Sequence, residues 1–281
     1  MRIKITADST CDLPRELVEQ YNIHIFPLYV VMDGKALRDG IDIVPQDVFD
    51  HVAAGGKLGN TAAVNVADYL ERFRALRAEY DAVIHFTISE SMSACFQNAN
   101  IAASELEGIY VIDSKNLSTG IGLLVLDACD MAAAGMDAEA ICAALTEKRE
   151  KLDVSFVIDT LDYLKAGGRC SPIVALGANL LSLKPCINLA DGAMDVGKKY
   201  RGVIEKVVVK YLHDRLADLD AIDLNRAFLV KSEGFDPAFL QEVEELILSI
   251  CPFKVLHRAT AGCTISNHCG PKTLGIIMYR K

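Results

Sequence analysis

The sequence is short of everything that would commit it to a membrane, a nucleic acid or a disulfide scaffold. No run without Asp, Glu, Lys or Arg exceeds 14 positions, and the one over residues 170–183 is interrupted by Pro172, Gly177 and Asn179. A bilayer span needs roughly 20 predominantly apolar residues, so no stable membrane insertion is expected. The first ten residues, MRIKITADST, carry no apolar stretch of the secretory kind, and a cytoplasmic protein is expected. Basic residues are neither in excess nor clustered: 29 Lys and Arg stand against 38 Asp and Glu, a net charge of −9. Nucleic acid is therefore not expected as a partner, because phosphate neutralisation requires a concentrated basic surface. The nine cysteines are odd in number, scattered, and include no C-x-x-C pair, which suits reduced thiols.

Catalytic signatures are equally scarce. There is no G-x-S-x-G elbow and no H-E-x-x-H. Cys263, His268 and Cys269 do not have the spacing of a closed zinc site, so no metal is expected. Gly192, Gly197 and Lys198 resemble a phosphate loop, but Lys199 stands where Mg²⁺ would need a hydroxyl, and a turn between two strands is the better reading. Gly120 and Gly122 lack the third glycine of a dinucleotide fingerprint.

What is present is a chain of 281 residues, 51% apolar and 24% charged, which excludes wholesale disorder and allows two domains. Segments 3–7, 82–87 and 109–112 read as buried strands, each followed by Ser, Thr, Asp or Gly. Between them, Asn65 can cap a helix with Val66, Tyr69, Leu70, Phe73, Leu76 and Tyr80 on one face. Further helices are expected over 93–106, over 117–134 (apolar nearly all round, hence buried) and over 137–152. This alternation predicts an α/β fold whose N-terminal domain, residues 1–154, has a mostly parallel sheet with helices on both faces. Residues 155–281 show a less regular alternation. Strands are expected at 155–159, 184–189, 226–231, 253–256 and 274–279, with helices over 203–219 and after Asp236-Pro237, giving a second α/β domain with a mixed sheet.

Four loops carry hydroxyls at places that matter: Asp8-Ser9-Thr10, Asn60-Thr61, Ser89 through Ser93, and Asp113-Ser114-Lys115. In open α/β sheets, ligands gather where strands end and helix N-termini begin, so these hydroxyls could hold a small anion. The same residues in the same places also serve as helix caps. Of six histidines, only His268 lies in a run suited to close approach, before Gly270-Pro271, whose tight turn would leave the imidazole exposed at a loop end. Arg169 follows Gly167-Gly168 and Arg201 precedes Gly202, each a place where backbone can approach a ligand.

Taken in order, these pieces resemble the DegV family, the fatty-acid-binding subunits of bacterial fatty acid kinase. The resemblance rests on the opening ADST (Ala7 to Thr10), Pro27-Leu28, Thr61 followed by Asp68-Tyr69, and Ser89, Met92, Ser93, Phe96, Gln97 and Ala99. It continues through Asp113-Ser114, the LKAGGR run ending at Arg169, Lys184-Pro185, Asp191-Gly192, Arg201-Gly202 and His268-Cys269-Gly270-Pro271. It implies two α/β domains and an apolar tunnel for one fatty acid. The carboxylate would be bound by Thr61 and Ser93 with His268 nearby, and Arg201, Ser9, Ala94, Cys95 and Gly270 would lie near the head group or portal. It further implies no catalytic residue and no cofactor in this chain. The long-chain fatty acid would be the ligand and a separate ATP-dependent kinase subunit the partner, its acyl phosphate feeding phospholipid synthesis. Ala94-Cys95 and Ala62-Ala63-Val64 depart from the family's usual Gly-Thr and Ser-Gln-Pro, removing hydroxyls around the head pocket. Two other readings stand beside this one: a carrier of a different apolar anion, and a serine hydrolase using Ser93 with His268 as base.

Overall fold

The structure is a computed structural model that describes residues 1–171 and 183–281, so most of the uncharged run 170–183 lies outside the described residues. β1 (Ile3–Asp8) is buried over its last five positions, the signature of a strand covered on both faces. A short helix, Arg15–Gln20, returns the chain to β2 (His24–Phe26), which pairs parallel with β1. β3 (Tyr29–Met32), β4 (Lys35–Arg38) and β5 (Asn60–Ala62) then form a small antiparallel sheet in the order β4-β3-β5. No periodicity announces it, because strands of three or four residues are too short to display a period. Thr61, expected in a loop, is therefore a strand residue opposite Val30.

The helix Val66–Arg77 begins as expected: the Asn65 side chain accepts the Asp68 N–H at 2.9 Å, with Asp68 in the first turn and Arg74 and Arg77 in the last. β6 (Ala82–Thr87) follows, buried throughout, then the helix Cys95–Ala103 and β7 (Ile109–Asp113). The parallel sheet runs β2-β1-β6-β7. Its order reverses between β1 and β6, so their carboxyl ends, at Asp8 and Thr87, open the crevice where ligands collect in such folds.

β8 (Leu152–Val157) starts the second sheet, so residue 154 falls inside a strand. With β9 (Leu183–Ala190), β10 (Ala193–Arg201), β11 (Ile222–Lys231), β12 (Val255–Thr260) and β13 (Leu274–Arg280) it forms a six-stranded mixed sheet ordered β10-β9-β8-β13-β11-β12. The turn expected after Gly192 is confined to Asp191-Gly192, and Gly197 and Lys198 lie within β10. The strand expected at 253–256 starts later, at Val255, where pairing with β11 begins at Arg226.

Strand alternation divides this sheet between two cores. Val157, Leu229, Ile276 and Met278 pack with Val207, Tyr211, Leu212, Val243 and Ile247 of the helices Ile204–Arg215 and Pro237–Ile250. Phe156, Phe228, Val230, Ile277 and Tyr279 point the other way, into the core shared with the N-terminal sheet. The helix Thr119–Ala133 lies between the sheets, touching β1 and β6 on one side and β8, β11 and β13 on the other. That position explains a helix apolar nearly all round. The last helix, Cys263–Cys269, crosses back to pack on β3, β5 and the helix Pro45–Ala53. Among the described residues, no helix is long and apolar enough to cross a membrane.

Candidate functional site

Between the sheets, beyond the carboxyl end of β6, lies a cavity of about 230 Å³. Leu28, Ile88, Leu117, Phe156, Val230 and Ile277 belong to its apolar wall and come from both domains. Its polar groups are few. Thr61 on β5 and His268 on the helix Cys263–Cys269 share a hydrogen bond of 2.8 Å between Oγ1 and Nε2, although 207 positions separate them in the chain. Ser93, just before the helix Cys95–Ala103, lines the same space, as do Ala94 and Arg169.

His268 is not an exposed loop residue. Gly270 does form the turn, with φ of 77°, but it ends a helix, and the imidazole on that helix faces inward. Burial, reinforced by the Arg169 charge, pulls this imidazole down to about 4, so it is neutral at pH 7. Its Nδ1 has no hydrogen-bond partner among the described residues. Gly167 makes that placement possible, because a Cβ there would stand 2.0 Å from Nδ1. The Arg169 guanidinium donates to the Gly167 carbonyl at 2.7 Å. The Thr61 hydroxyl thus meets a neutral imidazole on which the Arg169 charge bears, and Ser93 lines the same apolar space, an arrangement that suits an anionic head group with a long apolar tail.

The other residues singled out in the sequence occupy supporting positions. Ser9 lies outside the cavity wall: its Oγ accepts the Leu28 N–H at 3.1 Å and donates to Asp39 at 3.2 Å, fixing Leu28 in the wall. Gly270 is buried against Tyr163 and also lies outside the wall, while Arg201 is exposed at the end of β10. The Asp113 loop serves itself, its carboxylate accepting the Glu90 and Lys115 N–H groups. Cys95 is buried behind Ser93, which donates to its Sγ at 3.2 Å and accepts its N–H at 3.3 Å. Burial pushes the Cys95 thiol up to about 12.

Behind Cys95 is a polar cluster that sequence patterning did not isolate. Tyr69 neighbours Cys95 and donates from its hydroxyl to Asp8 Oδ1 at 2.6 Å. Asp8 also takes the Ile88 N–H at 3.1 Å and contacts His85 Nε2 at 3.2 Å. Asp8, Tyr69 and His85 are fully buried. The available signals were weak: Tyr69 read as one more apolar-face residue, and His85 as part of a buried strand.

The family model described as "Uncharacterised protein, DegV family" matches residues 2–281. A DegV domain-containing protein of Caldanaerobacter subterraneus subsp. tengcongensis is 31% identical, covering 100% of this chain and 99% of its own length. Among solved structures, a DegV family protein from Thermus thermophilus described for its fatty acid binding superposes with a TM-score of 0.90 at 30% identity, covering 100% of both chains. A stearic acid-binding protein from Eubacterium ventriosum superposes at 0.82 with 27% identity, covering 99% of this chain and 98% of that one. With its two α/β domains and a match over nearly every residue, the chain belongs to the DegV family.

Proposed function

We propose that the protein binds one long-chain fatty acid in the interdomain cavity and presents the carboxylate, held at Thr61, Ser93 and His268, to a separate ATP-dependent kinase subunit. The observation that carries this reading is a largely apolar cavity wall interrupted by the hydrogen-bonded pair Thr61 and His268. Fatty-acid binding by the Thermus thermophilus and Eubacterium ventriosum relatives supports it.

The energetics favour such a division of labour. Each buried methylene contributes about 0.8 kcal/mol, so a tail of about 14 contributes on the order of 11 kcal/mol gross. Ordering the tail and losing translational freedom offset several kcal/mol of that. The tail can therefore supply the affinity while the hydroxyls orient the head. With His268 neutral, the Thr61 hydroxyl donates to the carboxylate while accepting from Nε2–H, which requires the Nε2–H tautomer. Arg169 contributes positive charge to the same wall. A carboxylate oxygen left outward would accept a phosphoryl group from the kinase.

The hydrolase reading is less well supported. His268 Nε2 is engaged with Thr61, Ser93 with Cys95, and His268 Nδ1 has no carboxylate to orient it as a base. Denaturing extraction of the purified protein with mass spectrometry tests the proposal. A stoichiometric C14–C18 acid that becomes acyl phosphate on addition of kinase and ATP supports it. A different lipid, or ester turnover by a protein that retains no acid, defeats it.

A further inference from the structure

The cavity holds a second polar point, apart from the carboxylate-binding cluster. Thr264 lines it one helical turn before His268, about 6 Å along the axis at 1.5 Å per residue. The residue is only 4% exposed, and its Oγ1 has no hydrogen-bond partner among the described residues. Its backbone N–H is already taken by Asp39 at 3.1 Å, so the helix cap makes no use of the hydroxyl. Ser118 lines the same cavity, 3% exposed, with backbone φ of 51°. It donates to Asp12 Oδ2 at 2.6 Å, which leaves its oxygen lone pairs free to accept. The other oxygen of Asp12 takes the Gly262 N–H at 2.9 Å, two residues before Thr264. One carboxylate thus ties Ser118 to the start of the helix that bears Thr264.

An unadorned acyl chain leaves a buried hydroxyl unsatisfied, which is costly, whereas valine would fill the same volume at no such cost. A ligand hydroxyl is both donor and acceptor and matches an unused donor and an unused acceptor. We infer that Thr264 and Ser118 select an acyl chain carrying a hydroxyl group near its carboxyl end, accepting from Thr264 Oγ1 and donating to Ser118 Oγ. This rests on the fatty-acid reading of the cavity and names the class of acid. Sites that hydrogen-bond a ligand hydroxyl discriminate strongly against the analogue lacking it, because the protein groups are then left unpaired.

The test is competition for the delipidated full-length protein by palmitate, by 3-hydroxy- and 5-hydroxyhexadecanoic acid, and by 12-hydroxyoctadecanoic acid, whose hydroxyl is remote. At least one of the two near-carboxyl hydroxy acids should bind about tenfold tighter than palmitate, and the remote one should not. Thr264→Val should bring that ratio to within about twofold while tightening palmitate, and Thr264→Ser should restore the preference. Palmitate binding as tightly as both near-carboxyl acids, or an unchanged ratio in Thr264→Val, overturns the inference. Binding of palmitate in that case leaves the fatty-acid reading standing. Failure of every acid, palmitate included, defeats the fatty-acid reading and this inference with it.

Discussion

Gly167→Ala isolates the part Gly167 plays in setting His268. The glycine ends the helix Asp162–Gly167 with ordinary backbone angles, so alanine meets no conformational obstacle there, and helix propensity favours it by up to about 1 kcal/mol. The obstacle is the imidazole: the new methyl would lie 2.0 Å from Nδ1, well inside van der Waals contact. The ring must swing away, and the 2.8 Å bond to Thr61 goes with it. Repacking of this kind costs about 1–3 kcal/mol, and the lost hydrogen bond about 1 kcal/mol. With the full propensity gain subtracted, the net destabilisation should be about 1–3 kcal/mol, with fatty-acid affinity falling about tenfold. Urea denaturation and retention of labelled palmitate measure the two effects. The decisive control is His268→Ala, in which Gly167→Ala should become neutral or stabilising. A Gly167→Ala protein with unchanged stability and affinity, or an equal loss without the imidazole, refutes the argument.

Three further outcomes follow from the same geometry. Tyr69→Phe should weaken fatty-acid binding several-fold by releasing Cys95 and hence Ser93, and should have no added effect in a Ser93→Ala background; an additive double-mutant cycle would disprove the connection. Because the folded His268 is pulled from 6.5 to about 4, protons favour the unfolded chain as pH falls. The stability it contributes is full above about pH 6.5 and declines towards pH 4, by an amount on the order of 3 kcal/mol. Comparing denaturation of the parent and His268→Gln at pH 7 and pH 5 should show the parent losing more, and equal losses would contradict it. Ala261→Phe places a ring in the apolar wall and should abolish retention of long acids while sparing shorter ones, read by competition across chain lengths.

Much of this architecture was visible along the chain. The strands near 3–7, 82–87 and 109–112, the Asn65 cap and the apolar 117–134 helix are local matters of period and capping, and each is found within a few residues of expectation. The three-stranded sheet was not visible, because its short strands take their identity from one another. Arg169 was noticed for its preceding glycines, but nothing in the sequence placed it on a cavity wall and Arg201 in the open.

The sequence alone settled several of the longer strands and helices and that hydroxyls stand where strands of a parallel sheet end, since these depend on neighbours a few positions away. Only the tertiary structure decided what those side chains face. Thr61 meets His268 because the last helix folds back onto the first domain, and Thr264 faces the same cavity for the same reason. The neutrality of that histidine has the same origin: an imidazole's charge depends on the solvent and charges around it, and these exist only once distant segments have closed over it.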